Sequence, residues 1–121
     1  MPNQTPSPIR IAVVQCTILW NDISGNCQQI ERYVQQLQGQ ADLIIFPETI
    51  TTGFSAEAAQ RADSQKGEVY TFLQKIASEY QVALAGSYLT EWGKGKVYNM
   101  FFLFDREGKA QLQPKRHLFA P

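Results

Sequence analysis

Short apolar segments alternate with amphipathic helical segments along the first 86 residues of this chain. Residues 9–14, 41–46 and 82–86 are short apolar segments that we predict to be strands. Residues 9–14 lack polar alternation, which is typical of a parallel strand buried on both faces. Between the three segments, residues 22–39 and 67–80 repeat apolar side chains at helical spacing. The order strand, helix, strand, helix, strand predicts a layered α/β fold with parallel strands.

Capping residues and periodicity define the two predicted helices. The first begins near Asp22 and Ser24 and ends before Gly39, and the second follows Gly67. We also expect a short helix over residues 56–61. The apolar face of the first helix is predicted to contain Cys27, Ile30, Val34 and Leu37, and that of the second Val69, Phe72, Leu73, Ile76 and Tyr80.

A predicted hairpin follows the alternating segments. Residues 97–104 and 110–113 have strand character and flank the turn Asp105-Arg106-Glu107-Gly108. The hairpin indicates a sheet that changes from parallel to antiparallel pairing. The first five elements alone would also suit a doubly wound binding domain of flavodoxin or receiver type. The receiver type needs acidic residues where this chain has Val14-Gln15-Cys16, so it ranks last.

Composition excludes several function classes. Hydrophobic residues at 44% and aromatic residues at 12% suffice for a core. Charged residues make up 18% of the chain, below the usual quarter, which indicates surface that more protein covers. Eleven basic residues balance eleven acidic ones without a basic stripe, so neither nucleic acid nor a membrane is an expected partner.

The cysteines and the first eight residues bear on the compartment. Cys16 and Cys27 cannot form a disulfide framework and fit a reduced protein. Residues 1–8 are polar and proline-rich, without the apolar core of a signal peptide, and are interpreted as a disordered tail. We therefore expect a soluble cytoplasmic protein with one domain portion over residues 9–121.

Two charged residues are the best candidates for chemistry. Glu48 follows Pro47 at the carboxyl end of the second predicted strand, where ligands bind in open α/β sheets. Phe46 and Phe54 are expected to enclose its carboxyl group. Lys115, preceded by the rigid Pro114, lies in an apolar segment where its ammonium group would meet a carboxylate or line a cavity. The alternatives are a helix cap for Glu48 and an ordinary surface lysine for Lys115.

The motifs resemble the nitrilase superfamily of carbon–nitrogen hydrolases, and within it the omega-amidase-like branch. The resemblance covers the chain after residue 8 but only about the first half of a family domain. Each motif is weak alone, and their order and spacing make the match. The motifs are Ile11-Ala12-Val13-Val14-Gln15, Phe46-Pro47-Glu48, Thr52-Gly53-Phe54, Tyr98-Asn99 and Lys115-Arg116-His117-Leu118-Phe119.

The resemblance implies a fold and a mechanism. The fold is the N-terminal portion of a four-layer α-β-β-α sandwich, and half of it would leave an apolar inner sheet face exposed. Glu48 would be the general base and Lys115 the oxyanion stabiliser. The family's nucleophilic cysteine lies some thirty or more residues after the lysine, so we expect a chain truncated before it. A non-catalytic half-domain with a binding role is the alternative function.

The remaining expectations concern ligands and competing nucleophiles. The implied substrate is a small dicarboxylate monoamide such as 2-oxoglutaramate, hydrolysed without a cofactor or metal, by an enzyme that is a homo-oligomer at full length. No residue is assigned to substrate binding. Cys16 ends the first strand near Glu48 and is a minor alternative nucleophile. Cys27 is expected to be a core thiol, and His117 to pack or shape a loop.

Overall fold

The computed structural model describes residues 7–115. Two segments lie outside the described residues: residues 1–6, which belong to the predicted tail, and residues 116–121, which include His117. The elements are β1 (Ile11–Val13), α1 (Ile23–Leu37), β2 (Leu43–Ile45), a 3-10 helix (Ala58–Arg61), α2 (Glu68–Tyr80), β3 (Ala83–Trp92), β4 (Lys96–Phe104) and β5 (Ala110–Pro114).

The five strands form one mixed sheet in the order β1-β2-β3-β4-β5. β1, β2 and β3 are parallel neighbours, and β4 and β5 are added antiparallel. Parallel neighbours need a crossover, which α1 supplies between β1 and β2 and α2 between β2 and β3. The predicted α/β class and the change from parallel to antiparallel pairing are confirmed.

One face of the sheet packs against the helices. The register aligns Ala12, Ile44, Leu84 and Phe104 in a single row across four strands. Most of that row is buried in one core with the apolar faces of α1 and α2. Neither of these helices is long and apolar enough to cross a membrane. The core therefore lies entirely between the sheet and one helix layer.

The opposite face, which we term the open face, carries the odd-numbered positions of the five strands. Ile11 is 57% exposed and Val13 is 74% exposed there, and Phe101 on β4 is exposed as well. The prediction that residues 9–14 are buried on both faces is therefore wrong for β1, because helices cover one face only. The exposed apolar face expected of half a sandwich is present in residues 7–115.

The third strand is longer than predicted. β3 continues past Gly86 to Trp92 and pairs with β4 along its whole length. The sequence indicated an end at Gly86, but this glycine makes room for an aromatic ring instead. A Cβ atom at Gly86 would lie 3.0 Å from Cζ of Phe102, its cross-strand partner.

Candidate active site

Glu48 begins a turn that is hydrogen-bonded to β3 beyond the end of β2. The Phe46 N–H still donates to the Ala85 carbonyl, and the chain then leaves the sheet at Pro47. Ser87 anchors the turn: its Oγ accepts from the Thr49 N–H at 2.8 Å, and its carbonyl accepts from the Ile50 N–H. The turn therefore runs beside β3 beyond the end of β2, because the Ala85 and Ser87 carbonyls point to the same side of β3.

The backbone at Thr49 is strained. Its φ is +50°, a left-handed conformation that a β-branched residue rarely adopts. Thr49 is fully buried, and its Oγ1 donates to the Glu48 carbonyl at 2.8 Å. Such strain persists only where surrounding contacts hold the chain, and it concentrates at functional sites. Here the contacts with Ser87 hold it, next to the candidate base.

Lys115 is placed on the open face by the β4–β5 hairpin. Its N–H donates to the Asn99 carbonyl at 2.9 Å, which continues the ladder one residue beyond β5. Pro114 is paired with Met100, one residue before the hydrogen-bonded pair of Lys115 and Asn99. At such a non-hydrogen-bonded pair the backbone N–H points away from the neighbouring strand. The proline therefore leaves the ladder to β4 intact.

The two predicted charged residues meet. Lys115 Nζ donates to Glu48 Oε2 at 2.8 Å, and Asn99 Nδ2 donates to the same oxygen at 2.5 Å. The Lys115 side chain is 27% exposed and that of Glu48 is 31% exposed. Both of these donors are distant from Glu48 in the sequence. Asn99 follows it by 51 positions and Lys115 by 67 positions.

Asn99 was not a predicted catalytic residue, although the Tyr98-Asn99 motif was noted. It is 8% exposed, and its Oδ1 has no hydrogen-bond donor within residues 7–115. A polar residue in the apolar strand β4, directly opposite the lysine, is the signal that could have identified it. The hairpin register needed for that inference follows only from the structure.

A second buried asparagine joins the loops beside the site. Asn26 on α1 is fully buried. The sequence had instead predicted that the neighbouring Cys27 lies on the apolar face of this helix. Its Oδ1 accepts from the Leu19 N–H, and its Nδ2 donates to the carbonyls of Leu19 and Thr51. The Asn26 side chain thus joins the loop after β1 to the turn after Glu48, together with the hydrogen bond from the Asn21 N–H to the Thr52 carbonyl.

The expected aromatic enclosure of Glu48 is not formed. Phe46 belongs to the helix-side core, and Phe54 is 61% exposed. The exposed Trp20 ring packs against Gly53, the residue before Phe54. A Cβ atom at position 53 would lie 3.3 Å from this ring. The carboxylate is instead held by polar donors, because the turn directs Glu48 to the opposite side of the sheet from Phe46.

Neither cysteine forms a hydrogen bond with the Glu48 carboxylate within residues 7–115. Cys16 packs against the helix-side core, where burial raises its thiol pKa despite a hydrogen bond with Gln29. Half-buried Cys27 has a pKa raised to about 11, first by burial and then by the negative charges of Asp63 and Glu68. Both environments disfavour the thiolate, so the minor alternative of Cys16 as nucleophile gains no support.

The arrangement suits proton transfer next to a positive charge. Both donors bind Oε2 of Glu48, and Oε1 accepts no hydrogen bond from residues 7–115. That oxygen is therefore available as a base. An ammonium group has three donors, so Lys115 can hold Glu48 and also bind a developing oxyanion. Residues 7–115 contain no group of three or more potential metal ligands.

Comparison with known proteins identifies the family. The family model for carbon–nitrogen hydrolases matches residues 10–121. The chain belongs to the carbon–nitrogen hydrolase family. Among solved structures, a CN-hydrolase superfamily protein from Xanthomonas campestris, crystallised with an arsenic adduct in its active site, superimposes with a TM-score of 0.86 at 34% identity. The match covers 92% of this chain and 42% of that one.

Curated members of the family include amidases. The omega-amidase YafV of Escherichia coli is 31% identical over 111 residues, which are 92% of this chain and 42% of the relative. The 2-oxoglutaramate amidase of Bacillus subtilis is 27% identical over 111 residues, covering 90% of this chain and 43% of the relative. This carbon–nitrogen hydrolase chain thus spans less than half the length of these relatives and corresponds to their N-terminal part.

Proposed function

We propose that this chain is the part of an omega-amidase-like enzyme that carries the base and the lysine. The reaction is hydrolysis of the terminal amide of a small carboxylic acid to the acid and ammonia, with a dicarboxylate monoamide as the substrate class. The observation that carries the proposal is the ion pair between Lys115 and Glu48 at 2.8 Å, beside the strained turn. The names of the relatives support the reaction class.

The chemistry follows from the two side chains. Oε1 of Glu48 takes the proton of a cysteine thiol, and the thiolate attacks the amide carbonyl. Lys115 stabilises the oxyanion of the tetrahedral intermediate, and Glu48 returns the proton to the departing ammonia. Water then cleaves the thioester to release the acid and regenerate the thiol. Because Cys16 and Cys27 both precede Glu48 and neither forms a hydrogen bond with its carboxylate within residues 7–115, the nucleophile is assigned to the part of the domain after Lys115.

The test is turnover by the complete reading frame that contains this chain. Ammonia release from 2-oxoglutaramate is measured for the wild type and for Glu48→Gln, with exposed Glu91→Gln as the matched control. General-base catalysis contributes about 10²–10⁴-fold, and Glu48 serves two proton transfers. We expect Glu48→Gln to lose at least that factor in kcat and Glu91→Gln to remain near normal.

Two results would count against the proposal. Near-normal turnover by a folded Glu48→Gln enzyme would remove the base assignment. A complete reading frame without a cysteine after Lys115, and without amidase activity, would favour the alternative of a binding half-domain. In that case the Lys115–Glu48 pair would be a structural ion pair.

A further inference from the structure

We propose that Asn99 is a positioning residue for Glu48: it holds Oε2 so that Oε1 faces the reacting atoms. The role rests on the proposed function. Asn99 Nδ2 and Lys115 Nζ are both bound to Oε2, and no other hydrogen bond to the carboxylate comes from residues 7–115. The two oxygens of Glu48 are therefore inequivalent, one saturated and one free.

The same residue also sets the position of the lysine. The Asn99 carbonyl accepts the Lys115 N–H at 2.9 Å, while its side-chain amide donates to Glu48. A carboxylate only accepts hydrogen bonds, so the amide must direct Nδ2 toward Glu48 and Oδ1 away from it. Asn99 thus connects both charged residues through the middle of β4. A rigid strand locates side chains more accurately than a loop does.

The surroundings of Asn99 indicate that stability does not require an amide there. Its Oδ1 is buried and has no donor among the described residues. Leaving a polar atom unpaired is unfavourable, whereas replacing an amide by an apolar group of similar shape can be nearly neutral. Leu89 occupies the opposite position on β3. An apolar residue at 99 is thus compatible with folding, while the contact with Glu48 would be lost.

The experiment measures kinetics and stability of Asn99→Leu in the complete enzyme. We expect kcat to fall at least about tenfold with KM within about twofold, the pattern of an interaction lost mainly in the transition state. The midpoint of urea unfolding should stay near that of the wild type.

Two further variants make the result interpretable. Gln113→Leu removes an exposed amide from the same face, and this amide donates to the Pro114 carbonyl rather than to Glu48. It should retain normal kinetics. Asn99→Asp keeps the shape of the side chain but replaces the donor by an acceptor. It should lose at least as much kcat as Asn99→Leu, and it tests the role if the leucine variant fails to fold.

The outcomes separate this inference from the proposed function. If Glu48→Gln is inactive while Asn99→Leu or Asn99→Asp keeps normal kcat and KM, Asn99 is not a positioning residue. A crystal structure of either variant with an unmoved Glu48 carboxylate would lead to the same conclusion. If the wild-type enzyme has no amidase activity, the proposed function fails and the role of Asn99 fails with it.

Discussion

At the scale of residues, the site depends on where the Lys115–Glu48 pair lies. Both side chains are about one third exposed or less in residues 7–115. Exposed ion pairs contribute little to stability, about 0–1 kcal/mol. The value of this pair is therefore chemical, since a positive charge next to a base is available for a developing oxyanion.

We predict that Lys115→Ala in the complete enzyme lowers kcat by about 10²–10³-fold, the size expected for one oxyanion donor. The matched control is Lys96→Ala, because Lys96 is an exposed lysine at the start of β4. Steady-state kinetics with saturating amide measures both. If the two substitutions lowered kcat equally, Lys115 would act only through its general positive charge and not as an oxyanion donor.

The cysteines give a second prediction at this scale. Burial raises the pKa of Cys16, and Cys27 has a pKa of about 11, so both thiols are less ionised at pH 8 than exposed thiols are. Their alkylation by iodoacetamide at pH 8 should be slower in the folded 121-residue chain than in urea. Rapid labelling of folded Cys16 would instead indicate an activated thiol.

Cys27 also makes stability depend on pH. Its folded pKa of about 11 lies above the ordinary thiol value, so the unfolded chain loses the proton first as pH rises. Its contribution is complete below about pH 8.5 and is lost between there and pH 11. A Cys27→Ala variant should show a flatter alkaline limb in urea-unfolding midpoints, and an unchanged limb would contradict the pKa.

At the scale of elements, two loops and one hairpin build the site. The loop after β1 and the turn after β2 are joined by Asn26, and the turn rests on Ser87 of β3. The β4–β5 hairpin brings Asn99 and Lys115 opposite each other. Each connection links chain segments that are distant in sequence.

The sequence predicted the elements better than their contacts. Short apolar runs and helical periodicity placed both helices and the first three strands, because those patterns reflect local burial. The turn at residues 105–108 placed the last two strands. The extent of β3 beyond Gly86 was missed, since a glycine is a frequent breaker and its packing role is non-local. Asn26 was missed for the same reason: its partners lie up to 25 residues away. The roles of Glu48 and Lys115 remain predictions, although the structure brings them into contact.

We predict that Asn26→Leu destabilises the fold by about 1–3 kcal/mol, because it leaves the buried Thr51 carbonyl and the part-buried backbone groups of Leu19 without their partner. The control is Gln28→Leu at an exposed position of the same helix, which should change stability by no more than about 0.5 kcal/mol. Urea unfolding followed by circular dichroism measures both. If Asn26→Leu and Gln28→Leu had similar unfolding midpoints, Asn26 would not hold the two loops together.

At the scale of the whole molecule, the open face is the dominant feature. It exposes Ile11, Val13 and Phe101 on the side of the sheet that carries Asn99 and Lys115. Large contiguous apolar surface on a protein marks an interface or an aggregation risk. The candidate site therefore lies on a surface that the chain leaves uncovered within residues 7–115.

We predict that the purified 121-residue chain self-associates and releases no ammonia from 2-oxoglutaramate above background. Association follows from the apolar face, and inactivity from the absence of a cysteine after Cys27. Val13→Lys should reduce association, whereas Gln28→Lys on the helix side should not. Sedimentation velocity and an ammonia assay decide the matter. A cooperative monomer, or ammonia release abolished by Cys16→Ser, would contradict the respective expectation.

Pro114 affects the manner of that association. Its nitrogen points outward from the edge strand β5, so the outer edge lacks a hydrogen bond donor at this position. Edge strands recruit further strands through such donors, and proline is one of the residues that interrupt the process. Copies of this chain should therefore meet face to face rather than by adding strands beyond β5. Oligomers of limited size that do not bind thioflavin are the expected product, and fibrils growing from this edge are not.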